Sequence, residues 1–369
     1  ISKLAPSLWQ NYYNVIAQCD ALLERMDNVK TSSTEEQNEK QTITAEAKTL
    51  KALCYFQLLK VFAPAYDLNP DAPGVILKTH LGIEDKQRSS IRDCVSTIRG
   101  LLSEAAQMDG TSRHNGWLSK TAVQYLQADV ALYSGDYETA ITSGNAVIAK
   151  ANDAYFTSEG ISNLWAKDSY AGRIFAFNTH STYYSNIQFS IQEGDYFCVN
   201  PKLNVGTSDL RYTSFTYPFV MNGTVRTLLG KYNRCNKLNQ TTAYINTMRY
   251  AGAYYIVAEA YCRKGETEAA RVLINHYWHC IGVSEAPAGI TNQALLELIL
   301  TDKQREFVGE GVNFFDLKRT HLASLSRYSQ WGTGASSSIS STDYRWNFPI
   351  PVSEYRFNSV EQNAGWPSN

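Results

Sequence analysis

The sequence lacks the features that identify several large classes of protein. No run of apolar residues approaches the roughly 18–20 that a helix needs to cross a bilayer. The longest candidate, residues 251–261, is interrupted by Glu259. Charge of one sign is also missing, because 34 Lys and Arg stand against 35 Asp and Glu. This balance does not favour a polyanionic partner, so we expect neither a membrane-spanning helix nor nucleic-acid binding.

Cysteine occurs, but in no pattern that points to a metal or a disulfide framework. The seven cysteines are widely spaced and include no CxxC. We expect buried thiols, and the spacing leaves open whether Cys198 and Cys235 form a disulfide. The other five are Cys19, Cys54, Cys94, Cys262 and Cys280.

Local catalytic motifs are absent as well. GxSxG, Walker A, Rossmann and HExxH patterns do not occur, so no local motif indicates a hydrolase, nucleotidase or dehydrogenase activity. His276, His279 and Cys280 fall within about one helical turn, and HxxH can present two imidazoles to a metal. Because no further ligand lies nearby in sequence, we predict no metal site and no cofactor. A glycosidase needs only two suitably separated carboxylates, an alternative that stays open.

Hydrophobic residues recur at helical spacing in three pairs of segments. Residues 43–61 carry one apolar stripe and predict a helix that begins after Thr42 and ends before Pro64. Residues 9–23 predict the other helix of this hairpin, and the polar run 30–40 connects the two. The second and third pairs lie on either side of Ser-Gly-Asp and Lys-Gly-Glu turns. Each turn glycine has an alanine seven residues before it and another five after it, which allows close helix approach. These residues are Ala128 and Ala140 in one pair, and Ala258 and Ala270 in the other.

We interpret the second and third pairs as a tetratricopeptide-type repeat; two unrelated helical hairpins are the alternative. Between them, 15 of the residues 155–219 are aromatic and no helical stripe is sustained. Residues 173–177 and 187–191 alternate in polarity and predict small β-hairpins.

Flat aromatic faces beside hydrogen-bonding side chains are typical of sugar-binding surfaces. The aromatic segment between the second and third helical pairs supplies both kinds of side chain. We predict that the loop after the first helical pair forms a second wall of the binding site. The alternative is ordinary packing of these aromatic residues beneath long loops. The predicted platforms are Trp165, Tyr183, Tyr184 and Tyr196, their polar partners are Asn186 and Asp195, and the second wall comprises Tyr66, Asp67 and Asn69.

Four segments carry a family resemblance. Residues 302–319 (DKQREFVGEGVNFFDLKR), 348–354 (FPIPVSE), 362–366 (QNAGW) and 44–62 occur in the order typical of the SusD/RagB family. Members of that family are surface glycan-binding lipoproteins of gut and oral Bacteroidetes. The charged residues of 302–319 predict a charge-paired helix, with Arg305 near Glu310, and not a catalytic cluster. The prolines of 348–354 predict an extended segment lying across the scaffold.

The resemblance implies a mainly α fold: a tetratricopeptide-like helical-repeat scaffold with a loop-rich, partly β ligand-binding region. We expect a single domain, 1–369, divided into first helical pairs (1–154), an aromatic insert (155–245), and a third pair with the C-terminal motifs (246–369). The implied function is non-enzymatic capture of an oligosaccharide or polysaccharide for a SusC-like TonB-dependent barrel at the outer membrane. Membrane attachment is implied only through an N-terminal lipid, whose cysteine this chain lacks. The resemblance transfers no ligand residue, and a peptide-binding or protein-binding scaffold is the alternative.

Overall fold

Helices form most of the described chain. The computed structural model describes residues 4–107, 117–178, 203–221, 223–231, 244–321, 325–328 and 335–367. No helix in these ranges is both long enough and apolar enough to span a bilayer. The α-helices are α1 (Leu4–Met26), α2 (Thr34–Phe62), α3 (Ile91–Ala105), α4 (Lys120–Tyr133), α5 (Tyr137–Ile148), α6 (Ser158–Ala166), α7 (Arg211–Phe215), α8 (Tyr250–Arg263), α9 (Thr267–Cys280), α10 (Asn292–Glu306), α11 (Asn313–Thr320) and α12 (Val352–Phe357).

The first predicted hairpin is present, but its connection is shorter than expected. We predicted a polar linker over residues 30–40 and a helix entered through Thr42, whereas α2 already begins at Thr34. Ser33 caps it by accepting from the Glu36 backbone N–H at 3.2 Å, and the Glu36 carboxylate accepts from the Ser32 N–H at 2.6 Å. Reciprocal capping of this kind satisfies exposed N–H groups and extends the helix by two turns.

The second and third hairpins are confirmed. Helices α4 and α5, and α8 and α9, are each joined by a three-residue turn whose glycine has positive φ: 77° at Gly135 and 80° at Gly265. This left-handed conformation ends a helix at little cost only for glycine. The four predicted small contact residues are fully buried: Ala128, Ala140, Ala258 and Ala270.

The two hairpins pack directly on each other through α5 and α8. A Cβ at Gly144 would lie only 2.3 Å from Val257 Cγ2, so the helices approach more closely than any side chain would allow. The Asn145 amide donates to the Tyr261 hydroxyl at 3.4 Å beside this contact. Consecutive helical pairs stacked in this way bury a continuous core, as expected for a tetratricopeptide-like scaffold.

Six short strands form three antiparallel pairs. They are β1 (Arg173–Asn178), β2 (Thr216–Met221), β3 (Thr224–Leu229), β4 (Tyr244–Arg249), β5 (Leu325–Tyr328) and β6 (Ala335–Ile339), paired β1–β4, β2–β3 and β5–β6. We predicted that residues 173–177 would form a local hairpin, but β1 pairs with β4, about 70 residues further along the chain. The two ends of the insert are therefore tied together.

Buried thiols are confirmed for four cysteines and a half-buried one for Cys280. Cys198 and Cys235 lie outside the described residues, so their pairing stays open. Burial raises the pKa of the Cys19 thiol to about 11 and that of Cys54 to about 12. Such thiols are protonated at neutral pH and act as small apolar side chains.

Helix α11 and the C-terminal segment together cover the carboxyl end of α2. Residues 348–351 form no helix, as the prolines predicted, but the extended segment ends there because α12 begins at Val352. The last carbonyls of a helix have no partner within it. The Lys318 ammonium donates to the carbonyls of Lys60 and Ala63, at 2.7 and 2.6 Å. The Phe348 N–H donates to the Val61 carbonyl, and the Asn363 amide donates to the Phe62 carbonyl.

A buried charge cluster joins elements that are far apart in sequence. Arg211, at the start of α7, donates to Asp302 at 2.7 Å and to Glu306 at 3.0 Å, both on α10. Arg249, at the end of β4, donates to Glu306 at 2.6 Å and to Glu310 at 2.8 Å. All five side chains are almost entirely buried. Each charge therefore depends on its partners to offset the cost of desolvation.

The predicted charge-paired helix over residues 302–319 is wrong in two respects. Gly309 and Gly311, each with φ 78°, separate α10 from α11. Glu310 pairs with Lys231 and Arg249, and Arg305 lies 3.9 Å from Asp302 instead. The charges are ion-paired, as predicted, but most of the pairing is tertiary and not local.

Two helical glycines give a matched test of the close α5–α8 contact. A Cβ at Gly100, on α3, would meet no atom within 4 Å. Gly100→Ala should raise the free energy of unfolding by roughly 0.5–1 kcal/mol, because alanine is the better helix former. Gly144→Ala should be less stable than Gly100→Ala by about 1–3 kcal/mol, the usual cost of overpacking. Urea unfolding measures both, and equal stabilisation would rule out the close contact.

The charge cluster predicts acid sensitivity. Neighbouring Arg249 and Arg211 overcome the opposing effect of burial and lower the pKa of Glu306 from 4.5 to about 2. A folded-state pKa below the unfolded value stabilises the fold above about pH 4.5, and this contribution is lost as the pH falls towards 2. Urea unfolding should show stability falling over this window. Glu306→Gln should lower stability at pH 7 by about 3–5 kcal/mol and flatten the acid dependence; an unchanged dependence would contradict the assignment.

Candidate functional site

A cleft of about 190 Å³ lies where the three helical hairpins meet. Helices α2, α4, α8, α10 and α11 and strand β4 contribute to its walls. Phe56, Tyr133 and Phe315 give it aromatic surface, while Lys60 and Asp129 give it charge. A cavity needs about 10–15 Å³ to hold one water, so the cleft has room for several waters or for a small polar group.

The Lys60 ammonium lies on aromatic rings inside this cleft. Its Nζ is 4.4 Å from the centre of the Phe56 ring and 5.2 Å from that of Phe315. Burial lowers the pKa of Lys60, while Asp129 and Asp316 oppose this effect. The ammonium can donate hydrogen bonds to a ligand hydroxyl or carbonyl.

The buried carboxylates beside the cleft do not suit proton donation. Lys303 and Arg319 each pair with Asp316, at 2.8 and 2.6 Å. These cations outweigh burial and lower the pKa of Asp316 to about 2. Glu310 also lines the cleft and is ion-paired with Lys231 and Arg249. A general acid must hold a proton near neutral pH, which Asp316 does not.

The loop that follows α2, residues 64–70, stands next to the cleft, and we call it the rim loop. Its Ala65 lines the cleft. Tyr66 is half-buried, with its ring centre 6.2 Å from that of Tyr133, while Asp67 and Asn69 are exposed. The Asn69 side-chain oxygen accepts from the Asp71 backbone N–H at 3.0 Å, which sets the turn. The three residues of the second predicted wall are thus at least partly exposed, and their role in binding stays a prediction.

Sequence analysis missed His321, which directly follows α11 and contacts the rim loop. Its Nε2 lies 2.9 and 3.0 Å from the two Asp67 carboxylate oxygens. Its backbone is left-handed, with φ 50°, and among the described residues it alone combines a positive φ with a side chain other than glycine's. Such a conformation costs about 1–2 kcal/mol for a residue with a Cβ. The contact spans 254 residues, so no local sequence signal indicated it.

The prediction for Trp165 is wrong. Its side chain is completely buried, packs edge-on against Phe215 at 5.8 Å, and lies below the ammonium of Lys231 at 5.2 Å. Helix α6 turns one apolar face inward, and Trp165 belongs to that face together with Ile161 and Leu164. A ring without solvent exposure cannot stack on a sugar, so Trp165 is a core residue.

The remaining predicted ligand residues lie in the segment 179–202, outside the described residues, and stay predictions. They are Tyr183, Tyr184, Asn186, Asp195 and Tyr196. The structure thus brings Asp67 and His321 together at the rim loop, which also carries Tyr66 and Asn69, and it places Trp165 elsewhere.

Solved structures share this architecture. A SusD superfamily protein from Bacteroides thetaiotaomicron matches with TM-score 0.82 and 23% identity, over 96% of this chain and 84% of that one. A protein described as a putative sugar-binding protein from Bacteroides vulgatus matches with TM-score 0.83 and 21% identity, over 98% and 85%. A SusD-like carbohydrate-binding protein from the same species gives 0.74 and 20%, over 87% and 71%. These likenesses establish the fold.

A search of curated protein sequences finds no match. Two family models do match. One, described as starch-binding and associating with the outer membrane, covers residues 2–112. The other covers residues 82–366, which is more than three quarters of the chain and includes both the charge cluster and the C-terminal segment. The protein belongs to the SusD family.

Proposed function

We propose that this protein binds oligosaccharides at the outer face of a bacterial outer membrane and passes them, uncleaved, to a TonB-dependent transporter. The observation that carries the proposal is the rim loop. There, the partly exposed Tyr66 is followed in sequence by Asp67, whose carboxylate contacts His321, and Ala65 of the same loop lines the cleft. Family membership supports the class of ligand, because one matching family model is described as starch-binding.

The chemistry of this surface suits a sugar. The face of a tyrosine ring packs against the C–H face of a pyranose, and carboxylate, amide and imidazole groups bond to its hydroxyls. The Asp67–His321 contact holds two of these groups in place before a ligand arrives. Such preorganisation lowers the entropic cost of binding. Tyr183, Tyr184 and Tyr196 stay predicted platforms for the same ligand.

The state of Asp316 supports binding without cleavage. A glycosidase needs one carboxyl group that keeps its proton and a second that acts as nucleophile or base. Asp316 is held ionised by two cations, with its pKa lowered to about 2. The cleft therefore favours binding over hydrolysis.

Delivery to a transporter and anchoring by an N-terminal lipid are the finer parts of the proposal, and the sequence resemblance is their support. A helical scaffold that binds sugar without a membrane-spanning helix among its described residues needs a partner to move that sugar inward. A TonB-dependent barrel supplies this passage.

Rim-loop variants test the site. A glycan array identifies the ligand class, with maltoheptaose as the first soluble probe. Tyr66→Ala should weaken binding by roughly 2–10-fold, the equivalent of one lost aromatic contact. His321→Asn should also weaken binding, because asparagine tolerates the left-handed backbone but does not reproduce the imidazole contact with Asp67. Calorimetry measures affinity, and chromatography of the recovered sugar should show it intact.

Tyr12→Ala is the matched control. Tyr12, on α1, is likewise a partly buried tyrosine packed against the same core. Its loss should cost similar stability with no change in affinity. If Tyr66→Ala binds as the wild type does, the rim loop is not the site. Binding to peptides alone would favour a protein-binding scaffold, and shorter sugars in the recovered material would favour a glycosidase.

Copurification tests the transporter. The lipidated full-length protein, extracted from its native membrane in mild detergent, should elute with a large β-barrel in a fixed ratio. Recovery of the protein alone, under conditions that preserve other barrel complexes, would contradict delivery while leaving sugar binding intact.

A further inference from the structure

Three metal-ligating side chains converge on a surface that the proposed sugar site does not use. Asp153, His276 and Cys280 each offer one donor atom, and the three atoms lie within 4.8 Å of one another. His276 Nε2 is 3.2 Å from Asp153 Oδ1. Asp153 is 123 residues from His276, so only the fold brings this set together.

Well-packed elements hold the three residues in place. His276 and Cys280 are one helical turn apart on the same face of α9. Asp153 begins the 3₁₀ turn Asp153–Phe156, and the Phe156 ring packs edge-on against Tyr277 of α9 at 5.0 Å. The His276 imidazole stacks on the buried Tyr254 ring with an interplanar angle of 26°. A fixed ring orientation is what a metal ligand requires.

The donor set selects the kind of ion. Calcium and magnesium bind oxygen ligands, of which only one is present here. A nitrogen, a sulfur and a carboxylate oxygen suit zinc, which is usually four-coordinate and tetrahedral. Bond lengths of about 2.0–2.3 Å place tetrahedral ligand atoms about 3.3–3.7 Å apart. The His276–Asp153 separation already matches, and small rotations of side chains at the surface close the remainder.

We propose that Asp153, His276 and Cys280 bind a zinc ion whose fourth position is open to water or to a donor from a bound molecule. Zinc binds the thiolate, so binding transfers the Cys280 thiol proton to solvent. The ion joins the turn that opens the aromatic insert to the third helical hairpin.

The site differs from the pair that the sequence suggested. His276 and His279 form an HxxH, but His279 Nδ1 lies 3.3 Å from Glu285, away from the cluster. Cys280 takes its place, and Asp153 supplies the further ligand that sequence proximity did not. His279 therefore provides the control.

Cobalt(II) is the probe, because it replaces zinc and reports thiolate ligation through a charge-transfer band in the near ultraviolet. Untagged full-length protein should bind one Co²⁺ per chain, show this band, and lose it when one equivalent of Zn²⁺ is added. Cys280→Ser should abolish the band. Asp153→Asn and His276→Gln should each lower Zn²⁺ affinity by at least about tenfold. Even substitution of a residue that only supports a metal ligand can cause a loss of this size.

His279→Gln should bind as the wild type does. Circular dichroism checks that each variant is folded, which is expected because the substituted side chains are at least partly exposed. Wild-type protein without the thiolate band, or Cys280→Ser with unchanged affinity, would overturn the proposal and leave an ordinary histidine–aspartate ion pair. Equal losses in His279→Gln and His276→Gln would do the same, because they would indicate non-specific surface histidines. Sugar affinity measured without metal is independent of either result.

Discussion

The buried charge cluster is the interaction on which the rest of the structure depends. Arg211 and Arg249 sit almost without solvent contact against Asp302, Glu306 and Glu310. A buried charge is tolerated only when all of its partners are present, so the elements that carry these residues must assemble together. The cluster thereby fixes the positions of β4, which ends the insert, and of the end of α10. Both elements line the cleft. The charged family motif is a fold determinant.

Two of the family segments, 302–319 and 362–366, also fix the end of α2 that leads into the rim loop. Lys318 and Asn363 cap carbonyls at the end of α2, where the rim loop begins. Because these bonds satisfy groups that the helix leaves unpaired, α2 ends at a defined point and the loop leaves it in a defined direction.

The aromatic insert is attached at several places by different chemistry. Strands β1 and β4 pair its two ends through backbone hydrogen bonds, and Trp165 anchors α6 in the apolar core. The Asp153–His276–Cys280 cluster lies at its beginning, where a metal ion would join it to α9.

Sequence alone determined the helical hairpins, because apolar spacing and the turn glycines at 135 and 265 are local signals that tertiary contacts reinforced. It also indicated that the charges of residues 302–319 are paired. Tertiary structure decided the rest. Burial of Trp165, the contact of His321 with Asp67, and the partner of β1 all depend on residues 50 or more positions away. Whether an aromatic ring faces a sugar or a core depends on what packs over it, and a single sequence does not encode that locally.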